Sequence, residues 1–130
     1  PMDTSIPQIT EGTELYTLVI TPKSTDSVLY FRGLLHATPD SGSVDCIACM
    51  FVDTTANALF TSYRHMGAVN NRFQTTIYGT VANSSTSEAT YRLRVGAASS
   101  TDLEINQVNG TGGYFGGTWG SGFDITEVAN

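Results

Sequence analysis

At 130 residues, with 40% hydrophobic and only 14% charged side chains, the chain can build one domain around its own core. That charged share is well below the roughly 25% usual in soluble domains, and Lys23 is the sole lysine, which argues against long solvent-facing helices. Six basic residues against 12 acidic ones give a net charge of −6, so no basic stripe exists to neutralise phosphates and nucleic acid is excluded as a partner.

Residues 1–13 are polar, carry Pro7 and Gly12, and read as an extended lead-in; residues 14–130 read as a single head domain. Pro1 ahead of Met2 is taken as a protease-cleavage scar, so a longer parent protein is expected. The N-terminus lacks the charged-then-apolar pattern of a signal peptide. No apolar run approaches the roughly 20 residues a membrane span needs, so no membrane insertion is expected.

Leu15 to Ile20 is rich in β-branched and aromatic residues and stops at Thr21-Pro22; Lys23 to Ser27 is a turn. Val28 to Ala37 carries Leu29, Phe31, Gly33 and Leu35 on one strand face, and Thr38 to Ser43 is a loop. Val44 to Val52 is a near-continuous apolar run, the pattern of a strand covered on both faces. Leu59 to Met66 is a weaker strand. In Arg72 to Val81, Phe73, Thr75, Ile77, Gly79 and Val81 alternate with polar partners, the signature of a half-buried antiparallel strand. Tyr91 to Val95 alternates in the same way, Leu103 and Ile105 mark a short strand, and Phe123 to Val128 closes the chain. About eight to nine strands, broken by turn signals at roughly 10- to 15-residue spacing, predict an all-β antiparallel sandwich of jelly-roll type.

Catalytic patterns do not assemble, and the reading is of a non-enzyme. There is no G-x-S-x-G elbow, and Gly120-Ser121-Gly122 precedes a strand rather than a helix. His36 and His65 are the only histidines. Asp102 and Glu104 share a strand face, and with Glu127 they form no pair of the kind glycoside hydrolysis needs. The glycines from Gly110 to Gly117 run strand to strand, unlike a phosphate loop. Cys46 and Cys49, three apart on a strand, point to opposite faces and read as buried thiols rather than a redox motif or half a zinc site. No metal and no cofactor is expected.

The feature above this background is the last loop, where Tyr114, Phe115 and Trp119 sit among glycines and small polar residues. Aromatic rings among adaptable polar groups suit recognition surfaces, sugar-binding ones included; the competing reading is that these rings plug the core or meet a neighbouring subunit. Asn83-Ser84-Ser85 and Asn109-Gly110-Thr111 fit the glycosylation acceptor pattern only weakly.

Several segments in order carry a resemblance. They are Ile6-Pro7-Gln8 with Thr10-Glu11-Gly12-Thr13-Glu14, Leu18-Val19-Ile20-Thr21-Pro22-Lys23-Ser24, and Asp53-Thr54-Thr55-Ala56-Asn57-Ala58-Leu59. Later come Ser85 to Gly96, Asn109-Gly110-Thr111, Tyr114-Phe115-Gly116-Gly117 and Asp124-Ile125-Thr126-Glu127-Val128. Together they make the chain resemble the C-terminal heads of phage tail fibres and tailspikes. The resemblance implies a head shaped like C1q and tumour-necrosis-factor domains, trimeric at a fibre tip, in the virion and extracellular. It implies attachment to a bacterial surface polysaccharide or other cell-surface receptor, with no catalytic residues. A structural trimerisation cap and an accessory carbohydrate-binding module of a depolymerase are the alternatives. Tyr63-Arg64-His65 departs from the family pattern and joins Tyr114 and Trp119 as candidate receptor- or glycan-binding residues. Tyr30, Tyr78 and Phe115 are the candidates for a homotrimer interface. The apolar run Val44–Val52 is expected to add to that interface.

Overall fold

The computed structural model describes residues 5–108, 110 and 112–130. Eight strands follow one another: β1 (Thr13–Ile20), β2 (Val28–Pro39), β3 (Val44–Val52), β4 (Phe60–Met66), β5 (Phe73–Ala82), β6 (Ala89–Ala97), β7 (Leu103–Ile105) and β8 (Gly122–Val128). A short 3-10 segment, Tyr114–Gly117, lies between β7 and β8. The strands form two four-stranded antiparallel sheets, β1-β6-β3-β4 and β5-β2-β7, with β8 also pairing β2. This is the all-β sandwich that the alternation predicts.

The alternating residues meet between the sheets. Leu29, Phe31, Leu35 and Ala37 of β2 face Cys46, Ala48 and Met50 of β3 and Tyr91, Leu93 and Val95 of β6 in one core cluster, joined by Ile77 of β5. Phe31 is its hub, with its ring 5.3 Å from that of Phe60 and 4.9 Å from that of Tyr91, both edge-on. Gly79 makes room for this group, because a Cβ there would lie 2.5 Å from Phe60 Cδ1. One side of the sandwich is closed by β4 against β5, where Ser62 Oγ donates to the carbonyl of Thr76 at 2.9 Å.

The apolar run Val44–Val52 has a different explanation from the one its composition suggests. Its second face, Ile47, Cys49 and Phe51, is buried within the chain, packed against Ile9 of the lead-in and Ala58. The lead-in is pinned there by Ile9 N to the Ala56 carbonyl (2.8 Å), Ala58 N to the Pro7 carbonyl (3.0 Å), and Gln8 Nε2 to Asn57 Oδ1 (2.9 Å). Arg94 holds its end, donating to the carbonyls of Glu11 and Gly12, each at 2.8 Å. The run is therefore internal structure and is not spare surface for a subunit contact. Cys46 and Cys49 are both buried on opposite faces and unbridged. Burial pushes their thiols up to about 12 and about 11, so neither is a nucleophile at neutral pH.

At the far end of the sandwich Glu127 ties β8 to the β1–β2 turn. Its carboxylate accepts from Lys23 N (2.9 Å), Ser24 N (3.1 Å) and Ser27 Oγ (2.6 Å). The Ser27 hydroxyl, and then these backbone N–H groups, hold the carboxyl below its usual range.

Two outcomes test this packing. Gly79→Ala is expected to cost ~1–3 kcal/mol in urea unfolding by overpacking against Phe60, with part of the loss restored by Phe60→Leu in the same chain. Because folding lowers the Glu127 pKa, its stabilising contribution is present above pH 4.5 and fades as pH falls through the folded value. Glu127→Gln is expected to flatten this part of the acid limb of a stability-versus-pH curve.

Candidate functional site

Most of the candidate residues that the structure describes fall on two opposite outer faces, so they do not form one site. On the outer face of the first sheet, β3 and β4 pair Asp45 with His65, Ile47 with Tyr63 and Cys49 with Thr61. Tyr63 and His65 share this face and are exposed, whereas Arg64 lies between them on the opposite side of the strand. Tyr63, at 70% exposure, borders a groove of about 630 Å³ lined by Pro7, Asp45, Ile47, Thr61 and Ala98.

His65 is held at both ring nitrogens. Nδ1 lies 2.8 Å from Asp45 Oδ1, and Nε2 lies 3.1 Å from Ser43 Oγ. A carboxylate only accepts, so on a neutral ring Nδ1 carries the proton and Nε2 offers its lone pair to the Ser43 hydroxyl. Sequence reasoning missed Ser43 and Asp45. They lie 22 and 20 positions from His65, and only the β3–β4 register brings the three together.

The outer face of the second sheet carries the other candidates. Tyr30 is half-buried and Tyr78 is 63% exposed. Their strands are paired so that Tyr30 stands opposite Thr80 and Tyr78 opposite Arg32, which makes the two tyrosines diagonal neighbours. On the β8 side, Val128 (45% exposed) and Asp124 share this face, and Asp124 lies 3.4 Å from Arg32. Further along β2, His36 is buried beneath Trp119, their rings 4.8 Å apart. Ser121 Oγ holds this corner by donating to Asn106 Oδ1 at 2.6 Å while accepting from His36 N at 2.8 Å. Desolvation lowers the His36 pKa.

Trp119 is thus partly committed to packing. Phe115, at 79% exposure, stands at the loop tip with a positive φ of 52°. The side chain of Tyr114, and Asn109 and Thr111 of the weak glycosylation pattern, lie outside the described residues. Of the carboxylates considered for hydrolysis, two have other tasks: Glu104 accepts from Gly110 N at 2.6 Å, and Glu127 binds its turn. Among the described residues no cluster of His, Cys, Asp and Glu gathers for a metal, and no helix is long and apolar enough to cross a membrane.

With this geometry in view, comparison with known families matches residues 2–130 to the Pgp3 C-terminal domain. The chain belongs to that family. Its members are Chlamydia virulence proteins, and this overturns the phage tail-fibre and tailspike reading, together with the virion tail-tip location that came with it. The segments that suggested a tail fibre are short turn and strand sequences, such as Asp53-Thr54-Thr55 and Asp124-Ile125-Thr126-Glu127-Val128, which β-sandwiches of separate origin can share. The proposed role as a phage attachment head falls with that reading, and the bacterial polysaccharide loses the resemblance on which it rested. No curated protein matches the chain.

Trp119 is the only tryptophan, so its fluorescence reads the His36 contact directly. Protonating His36 puts a cation against the indole, and emission is expected to fall on acidification with a midpoint below 6.5. The stabilisation that neutral His36 gives is present above about pH 6.5 and lost as pH falls through the lowered folded value. His36→Gln is expected to remove the fluorescence step, which a titration checks.

Proposed function

We propose that this Pgp3-type domain is a binding module without turnover chemistry, and that it assembles as a homotrimer through the outer face of its second sheet. The observation that carries the reading is Tyr78. A side chain of this size at 63% exposure, beside half-buried Tyr30 and exposed Val128 on a flat strand face, is surface of the kind that subunit contacts cover. The face is continuous across β5, β2 and β8. The ion pair of Arg32 with Asp124 on this face can give register to a closed symmetric contact. Phe115 on the adjoining loop is the third interface candidate.

Two features favour binding over catalysis. Glu104 and Glu127 are engaged by backbone N–H groups, and His36 is packed beneath an indole ring. Such groups serve structure and are not free for proton transfer. Covering the second sheet in an oligomer leaves the first sheet's outer face, with Tyr63 and its groove, for a partner.

Light scattering on a sizing column is the test. Three times the 13.9 kDa of one chain is the expected mass, and Tyr78→Glu is expected to shift the protein to monomer at micromolar concentration, since loss of a central tyrosine anchor costs roughly 2 kcal/mol or more at each contact. A wild-type chain that runs as a monomer at all concentrations overturns the assembly.

A further inference from the structure

The Ser43–His65–Asp45 chain has the connectivity of an activated nucleophile. A hydroxyl becomes reactive when one imidazole nitrogen takes its proton and a carboxylate on the other nitrogen fixes the tautomer and steadies the cation that forms. Both contacts are present, with the correct atoms, at 3.1 Å and 2.8 Å. The backbone presents the hydroxyl outward. Gly42, with φ at +64°, turns the loop just before β3, and Ser43 is exposed while its neighbour Val44 is buried.

The surroundings specify an electrophile. Asp45 and Ile47 occupy the outer face of β3 at two-residue spacing, with Ser43 in the bend just before the strand, and Thr61, Tyr63 and His65 occupy the matching face of β4. The groove bordered by Tyr63 therefore begins at Asp45 and runs away from Ser43 over Ile47 and Pro7, surfaces suited to an alkyl chain. From these observations we propose that Ser43 is an acyl-acceptor site, activated by His65 and oriented through Asp45, for thioesters or aryl esters whose acyl chain lies in the groove. The inference goes beyond the binding-module reading and is independent of assembly, because it uses the opposite sheet.

In the reaction Ser43 Oγ bonds to the acyl carbonyl carbon as its proton passes to His65 Nε2. The carbonyl carbon then releases the thiolate or phenolate, which leaves with the proton from His65. Ser43 has exchanged its hydrogen for the acyl group, and nothing is oxidised or reduced.

The experiment treats the whole chain with p-nitrophenyl butyrate and, separately, with an alkyl fluorophosphonate, followed by intact mass and peptide mapping. The expected result is one adduct per chain on Ser43, none in Ser43→Ala, and labelling slowed about a hundredfold in His65→Gln, the scale of a lost general base. Asp45→Asn is expected to slow it as well, through the wrong tautomer. Release of p-nitrophenol is expected to stop at one equivalent per chain and to be abolished by Ser43→Ala. All three positions are at the surface, and unchanged thermal melting verifies that the variants fold. Absence of an adduct, adducts spread over other serines, or wild-type labelling of His65→Gln overturns the proposal.

Discussion

The two-sided burial of β3 is the constraint on which the rest of the molecule depends. A strand whose residues are apolar on both faces must be covered twice, and here one cover is the second sheet and the other is the lead-in. The second cover decides where the chain enters. Residues 6–12 are drawn across Ile47, Cys49 and Phe51, and Arg94 is spent on fastening their carbonyls. The basic pair Arg92 and Arg94 is thereby turned to internal use, with Glu14 beside both guanidinium groups. The groove on this face has the entering chain as one wall, so its shape is a by-product of covering β3.

The two sheets then divide the work. The first carries the lead-in, exposed Tyr63 and the hydrogen-bonded histidine on its outer face. The second keeps aromatic surface outside and packs its own histidine under a loop. Membership of the Pgp3 C-terminal family removes the phage-attachment reading while leaving the sandwich unchanged, in keeping with the rule that one architecture hosts unrelated tasks.

Much of the fold was legible because period-two alternation is a direct imprint of a half-buried sheet. Residues 73–81 and 91–95 read without ambiguity, and their burial alternates along the strands. The run over residues 44–52 was legible as buried on both sides, yet sequence alone could not say whether its second cover was a subunit or the chain's own start, since 38 positions separate Ile9 from Ile47. The site was harder. Tyr63 and His65 were visible as unusual residues, but Arg64 faces the other way, and Ser43 and Asp45 carry no local signal. Their meaning arises from register, which a single strand does not encode. Trp119 and His36 were each noted, and their stacking depends on a glycine-rich loop with positive φ at Gly110, Gly112, Gly116 and Gly117, where pattern gives little guidance.

The opposed placement of the two thiols gives the chain a built-in pair of reporters. A reagent reaches Cys49 once the lead-in lifts from β3, whereas it reaches Cys46 only when the sheets part. Loosening of the entering strap and melting of the sandwich are therefore recorded on separate native sulfur atoms, three residues apart on one strand.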